Sequence, residues 1–396
     1  MTAGFFLQDC GVVCPLGRGK AEVASALFAG SREGLAWRDD LIGGRPVLVG
    51  AVDAALPAPP DAAAGLDCRN NRLMLAALDE IAAAVAAAAR RWGPHRVAVV
   101  LGTSTSGIAD GEAALTAYRR SGAWPPDFHY RQQETGGLAE FAARAMGLTG
   151  PAYTIATACS SSAKVFASAR RLIRAGLADA AVVGGADTLC RMTLNGFAAL
   201  EALSKGRCNP FSARRDGITI GEGAAAFLLT TEPGPVALLG VGESSDAHHA
   251  TAPDPEGTGA RAAMALALAD AGLRPDDIAY VNLHGTATAF NDAMESKAVF
   301  GLFGAATPCS STKGMTGHML GATGGVEAAF LWLTLDPSTS TGLLPPHLWD
   351  GEADPALPRL NLIDTATRLP TGRRLAMLSN SFGFGGSNVA LILGQA

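Results

Sequence analysis

The run Tyr153-Thr154-Ile155-Ala156-Thr157-Ala158-Cys159-Ser160-Ser161-Ser162 decides how the rest of the chain is read. The residues before the cysteine are short and β-prone. After the serines, Ala163 to Ala175 is rich in alanine and long side chains, and Gly176 is placed to cap it. The pattern predicts strand, sharp turn and helix, with Cys159 at the helix entrance. Unpaired backbone N–H groups and the positive end of the helix dipole favour an anion there. A thiol so placed is expected to ionise readily and to act as a nucleophile. The other reading of the stretch is a small cysteine buried in a core.

Composition limits what surrounds it. The 396 residues are 48% hydrophobic and 17% charged, with 48 glycines, which suits two domains or one duplicated unit with a large core. A net charge of −5 argues against a nucleic-acid or membrane-surface role. No signal-peptide pattern is expected at Met1 to Phe6, and no uncharged apolar run reaches membrane-spanning length. The seven cysteines, at 10, 14, 68, 159, 190, 208 and 309, are scattered and include no C-x-x-C pair. A disulfide framework or a metal site is therefore not expected, and a cytoplasmic location is.

Outward from Cys159, strand and helix signals alternate. Strands are expected at Leu7–Val13, Arg45–Val52, Arg96–Leu101, Asp179–Gly184 and Ala224–Leu229. Helices are expected at Ala21–Ala29, Asn71–Arg91, Leu138–Met146 and Ala198–Leu203. Gly122 to Thr135 reads as a surface excursion near an entrance. Glu232-Pro233-Gly234-Pro235 interrupts both kinds of element and divides the chain into 1–232, carrying Cys159, and 233–396. The rhythm then restarts: strands at Val236–Val241 and Ile278–Leu283, helices at Gly259–Ala271, Asp292–Phe303 and Gly321–Leu335. Such alternation predicts α/β layers with mostly parallel strands, and chemistry where strands end and helices begin.

Three stretches of the second half meet that expectation. In Val281-Asn282-Leu283-His284-Gly285-Thr286-Ala287-Thr288, an apolar strand ends on a histidine followed by hydroxyls. A neutral imidazole there can donate to a reacting oxygen, and the threonines can hold a polar ligand; the plainer reading is a helix-capping histidine. In Ser310 to His318, Lys313 and His318 share a glycine-rich turn before an apolar helix that contains Glu327, an acid whose company calls for a partner or a proton. In Ser379 to Asn388, glycines flank Phe384 and free the backbone to present an N–H to a ligand.

Taken together, Thr157-Ala158-Cys159-Ser160-Ser161, His284-Gly285-Thr286-x-Thr288, Lys313-x4-His318 and Gly383-Phe384-Gly385-Gly386 resemble the motifs of the β-ketoacyl-acyl carrier protein synthases, the elongating condensing enzymes of the thiolase superfamily. Gly11 to Gly17 is similar to that family's opening, so the resemblance runs nearly the whole chain. It implies a duplicated five-layered α-β-α-β-α thiolase fold and a ping-pong Claisen condensation. On that analogy Cys159 takes an acyl chain from a carrier-protein thioester, and His284 and His318 support decarboxylation of malonyl-carrier protein. Lys313 and Glu327 order the histidines. The N–H groups of Cys159 and Phe384 hold the oxyanion, and the Phe384 ring acts as a gate.

The resemblance also implies that no cofactor is bound. The phosphopantetheine arm comes with the acyl carrier protein and is held by Thr286, Thr288, Gly383 and Gly385, while Thr103 to Ser106, with Thr105 at its centre, lines the acyl pocket. Basic residues then acquire a purpose, because carrier proteins are acidic: Arg69, Arg72, Lys205 and Arg207 are the docking candidates. The chain departs from the family at Ser162, Lys164 and Ala289, which leaves the chemistry in place and opens the substrate to fatty acid, polyketide or polyene elongation. A homodimer is expected, or a heterodimer with a chain-length-type homologue. Two other readings compete. A thiolase acting on coenzyme A esters needs a second cysteine in the C-terminal loop, which is absent. A non-catalytic chain-length factor usually lacks the nucleophile, which is present.

Overall fold

The computed structural model describes residues 4–396. Two sets of five main strands are built to one plan, with the two-residue strands Gly17–Arg18 and Asn361–Leu362 added to them. The first holds β1 (Phe6–Cys14), β2 (Val97–Gly102), β3 (Ala152–Ile155), β4 (Ala180–Asp187) and β5 (Gly223–Thr230), in spatial order β3-β2-β4-β5-β1. The second holds β6 (Val236–Ser245), β7 (Ile278–Asn282), β8 (Pro308–Ser310), β9 (Ala376–Gly383) and β10 (Ser387–Gln395), in order β8-β7-β9-β10-β6. Strand directions repeat as well. The first three strands in each order are parallel, the fourth runs antiparallel to them, and the fifth pairs antiparallel with the fourth. The sheets join where Phe6 and Leu7 pair with Ala237 and Val236.

The sheets are therefore mixed, where the alternating pattern had suggested mostly parallel strands. β10 follows β9 through a tight hairpin, which returns the chain antiparallel; the chain from Asp187 to Gly223 instead passes through the helix Arg191–Ala199, and β5 still pairs antiparallel with β4. Small residues disguise this: β5 reads Gly-Ala-Ala-Ala-Phe-Leu-Leu-Thr and lies fully buried between helical layers.

Helices form three further layers. The middle one contains α2 (Ser161–Arg174) and α5 (Thr323–Leu335), packed on each other and touching strands of both sheets. All thirteen residues of α5 are buried, which is why its sequence is apolar on every side. One outer layer holds α1 (Arg69–Trp92), which runs across β1, β4 and β5, and the helix Gly137–Ala145. The other holds α3 (Thr258–Ala271), on β6 and β10, and α4 (Ala289–Phe303), packed on α3. The result is the α-β-α-β-α stack. No described helix is long and apolar enough to cross a membrane.

One local expectation needs correction, and two further elements carried no clear signal. The helix placed at Ala198–Leu203 is Arg191–Ala199, and Leu200 closes it. Ile108–Ser121, which has little apolar periodicity, is a helix capped by left-handed Gly122. The glycine-rich C-terminal stretch is a hairpin: β9 and β10 stay paired up to Gly383 and Ser387, and only its tip is free of the ladder. Gly122 to Thr135 does lie at the surface, where Trp124 stacks between Tyr118 and Phe128, but it does not line the cavity at Cys159.

Candidate active site

Cys159 sits between the end of β3 and Ser160, the residue that caps α2. The turn is sharp because Ala158 adopts φ 51°, a left-handed conformation costly for a residue with a side chain. Ser160 and Ser161 hold it. The Ser161 hydroxyl donates to Ala158 O (2.6 Å) and accepts from Thr157 N (2.9 Å), and the Ser160 hydroxyl donates to Thr157 O (2.8 Å). Ser162 faces inward and accepts the Gly325 N–H of α5 at 2.7 Å, tying the two central helices together.

His318 Nε2 stands 2.9 Å from Cys159 Sγ, and His284 lies edge-on to His318 with ring centroids 5.3 Å apart. All three residues are buried. Burial, and then the positive charge of Lys313, push both imidazoles well below their usual pKa, so both are neutral at pH 7. Burial pushes the Cys159 thiol up to about 11, opposed by the Lys313 charge and by the Phe384 N–H directed at the sulfur. The resting pair is thus thiol and imidazole. Burial thus opposes the ready ionisation that the helix entrance suggests.

The sulfur and one ring nitrogen of each histidine lie within 4.8 Å of one another. By donor type such a set could take zinc. The Lys313 charge that depresses both rings opposes a dication at the same place.

Lys313 and Glu327 form the expected pair, Nζ to Oε1 at 2.6 Å, with both side chains 1% exposed. Neither touches an imidazole nitrogen. Thr323, at the start of α5, is what holds His318, its hydroxyl 3.0 Å from Nδ1. Glu295 of α4 holds the His284 turn: its two carboxylate oxygens accept the N–H groups of His284 and Gly285, each at 2.7 Å, and Asn380 Nδ2 joins at 3.2 Å. Lys313 therefore acts on the histidines by charge, with Glu327 paired to it, while Thr323 and Glu295 supply the contacts. Nothing in the sequence marks Thr323, and Glu295 is there only an acid eleven residues beyond His284.

The cavity over Cys159 is lined on one side by Phe197, Leu200, Ala202 and Ile218 and on the other by Thr286, Thr288 and Asn291. The hydroxyls of Thr286 and Thr288 lie 3.1 Å apart. Gly383, Phe384 and Gly385 also line it, with Asp246, Thr251, Ala252 and Pro253. A Cβ on Gly383 would come within 2.9 Å of Thr157 O and 3.3 Å of Cys159 N, so only glycine lets the hairpin tip approach the nucleophile. The Phe384 ring, 38% exposed, rests on Phe197 at 5.6 Å between centroids, across the way in.

Thr105 is not part of this cavity. It is fully buried, and its hydroxyl and N–H both donate to Asp187 Oδ1, as do Thr103 Oγ1 and Ser104 N. The small polar turn after β2 exists to satisfy a buried carboxylate.

The four basic candidates also separate. Arg69 makes two hydrogen bonds to buried Glu222 (2.5 and 3.0 Å) and one to Val52 O, which makes it a structural residue. Arg72 is paired twice with Asp67. Lys205 and Arg207 are exposed and form no ion pair among the described residues; the Arg207 charge is felt by Arg32 beside it.

Comparison with known proteins agrees with this geometry. Residues 51–233 match the family model described as Beta-ketoacyl synthase, N-terminal domain, and residues 236–348 the corresponding C-terminal domain. A 3-oxoacyl-[acyl-carrier-protein] synthase 2 of Staphylococcus aureus is 37% identical over 264 residues, 62% of this chain and 64% of that protein, so the match spans less than two thirds of the relative's length. Among solved structures, a ketosynthase (ApeO) in complex with its chain length factor (ApeC) from Xenorhabdus doucetiae superposes with TM-score 0.94 at 47% identity, over 100% of this chain and 98% of that one. The ishigamide ketosynthase/chain length factor gives 0.89 at 27% identity, over 100% and 99%. With both family domains matched in order and the site assembled from both halves, the chain belongs to the β-ketoacyl synthase family of thiolase-fold condensing enzymes.

Proposed function

We propose that the protein condenses an acyl chain, carried on Cys159, with malonyl-acyl carrier protein, releasing carbon dioxide and giving 3-oxoacyl-acyl carrier protein. The observation that carries this reading is the contact of Cys159 Sγ with His318 Nε2 in a cavity that also receives His284. The reading treats the three as a nucleophile and two imidazoles, with no metal among them. No cofactor is bound: the phosphopantetheine arm arrives on the carrier protein and lies along Thr286, Thr288 and the backbone of Gly383 and Gly385. Residues 1–232 supply the nucleophile and 233–396 the two histidines.

In the first half-reaction Sγ attacks the carrier thioester. The thiol proton passes to His318 Nε2 and on to the departing phosphopantetheine thiolate. The N–H groups of Cys159 and Phe384 receive the tetrahedral oxyanion, where one such donor is typically worth ~10²–10³ in rate. In the second, the malonyl carboxylate leaves as carbon dioxide, and His284 and His318 donate to the enolate oxygen that develops. The carbanion then attacks the acyl carbonyl on Cys159, and the sulfur leaves. His318 must accept at Nε2 in one step and donate from it in the other. The Thr323 hydroxyl suits both, since it can either accept from Nδ1–H or donate to bare Nδ1. The low pKa of the rings leaves both neutral in the resting site and makes a protonated His318 ready to pass its proton on.

The acidic carrier protein docks near Lys205 and Arg207. The protein pairs with a second thiolase-fold chain, either a copy of itself or a chain-length-type homologue; Cys159 makes it the catalytic member. The seven free cysteines suit a reducing, cytoplasmic setting. The test is to mix the protein with acyl- and malonyl-carrier protein and look for the 3-oxoacyl product by mass. His318→Ala should spare acylation better than condensation; equal loss of both contradicts the division of roles.

A further inference from the structure

Away from the reacting groups, His347 ties three segments together. It is 4% exposed, in the irregular stretch after α5. Its Nδ1 accepts the Ser311 N–H at 3.0 Å. A backbone N–H can only donate, so Nδ1 carries the lone pair and Nε2 the proton, which goes to Pro210 O at 3.1 Å. Burial lowers its pKa to about 4, so this tautomer persists across the working pH range. The ring also packs edge-on against Trp349 and against Phe211.

Each partner leads to the active site. The Ser311 hydroxyl donates to Gly285 O (2.7 Å), next to His284, and Ser311 opens the turn that carries Lys313. On the other side, the segment that begins at exposed Arg207 is fastened residue by residue. Cys208 Sγ lies 3.1 Å from Lys313 O, Pro210 O receives His347, and Phe211 N donates to Asp292 Oδ2 at 2.7 Å. Asp292 in turn accepts Ala287 N, within the His284 turn. Gly285 is gripped between the two arms: a Cβ there would come within 2.5 Å of the Ser311 side chain and 2.8 Å of the Phe211 ring. Phe211 itself is held at φ 63°, a strained conformation that persists only where surrounding contacts fix it.

We propose that His347 is a positioning residue: its imidazole, bonded to Ser311 on one side and Pro210 on the other, holds the His284 and Lys313 turns and the Arg207-bearing segment as one unit. The inference rests on the condensation reading above and adds a residue that touches no reacting atom. Its ties reach His284 and Lys313, whereas Cys159 and Phe384 are held by other elements, and His318, although it shares the Lys313 turn, is fixed separately by Thr323 at Nδ1 and by Thr219 O at its N–H. Loss of His347 therefore falls on condensation rather than on acyl transfer to Cys159.

The experiment compares His347→Leu, which removes both hydrogen bonds, with His347→Gln, whose amide can accept and donate. The readouts are Cys159 acylation by intact mass, and kcat and KM for malonyl-carrier protein. His347→Leu should acylate within about twofold of wild type and lose ~10–100-fold in condensation kcat, the scale expected when a catalytic group is slightly misplaced. His347→Gln should regain most of that loss. Should His347→Leu not fold, Ser311→Ala cuts the same chain at the Gly285 link and should give the same selective loss. Wild-type condensation kcat in His347→Leu, or in Ser311→Ala where the leucine variant does not fold, overturns the inference. So does acylation falling in step with condensation. A wild-type protein that neither acylates nor condenses would instead sink the reading beneath it, and the two failures are told apart by the wild-type control.

Discussion

His318 Nε2 lies 2.9 Å from Cys159 Sγ, across 159 residues of chain and from opposite halves of the molecule. The two halves meet in the central helical layer, where α2 begins just after the cysteine and α5 just after the histidine. A shared layer lets each half deliver a helix start to one cavity. The contact follows from the duplicated plan and from Ser162 tying α2 to α5.

The protonation state of this pair is open to measurement. Because burial raises the thiol to about 11, only a small thiolate fraction exists at pH 7, and that fraction grows about tenfold per pH unit until the pKa is approached. The rate of Cys159 alkylation by iodoacetamide should climb steadily from pH 6 through pH 9. A rate already level at pH 7 would mean a resting thiolate–imidazolium pair.

Arg69 and Arg207 look alike in the sequence and should behave differently on substitution. Arg69→Ala strands buried Glu222 without its cation and should cost roughly 2 kcal/mol in urea unfolding, a figure moderated by the partial exposure of the arginine. Arg207→Glu should leave stability unchanged and raise KM for carrier protein, more so at low salt. An unchanged KM would remove Arg207 from the docking face.

Thr105→Val tests whether the turn after β2 serves Asp187 alone or also the acyl pocket. Asp187 would lose one donor and Thr188 N its acceptor, at about 1–3 kcal/mol. The range of acyl lengths accepted should not change. A shifted length profile in a protein of unchanged stability would return Thr105 to the acyl pocket.

These contrasts show what the sequence could carry. Cys159, His284 and His318 were legible because each stands at the end of a recognisable strand or turn, beside glycines or serines that make the turn possible. The order of elements was legible from hydrophobic runs. Strand direction was not, because whether β5 returns antiparallel depends on a partner far away in the chain. Thr323 and Glu295 were illegible as site residues for a related reason. A threonine opening an apolar helix and an acid within another carry no mark of what they touch once folded. Arg69 and Arg207 could not be told apart because a guanidinium paired with a buried acid is spelled the same as one left free for a partner.

The central claim is that Cys159 accepts an acyl chain from a carrier-protein thioester. Its most direct test is intact mass of the wild-type and Cys159→Ala proteins after incubation with acyl-carrier protein over a panel of chain lengths. The account predicts one acyl adduct, mapped to the peptide containing Cys159, for at least one chain in the panel and none in the folded alanine variant. An unmodified wild-type protein across the panel, or an adduct that survives the substitution, would contradict it.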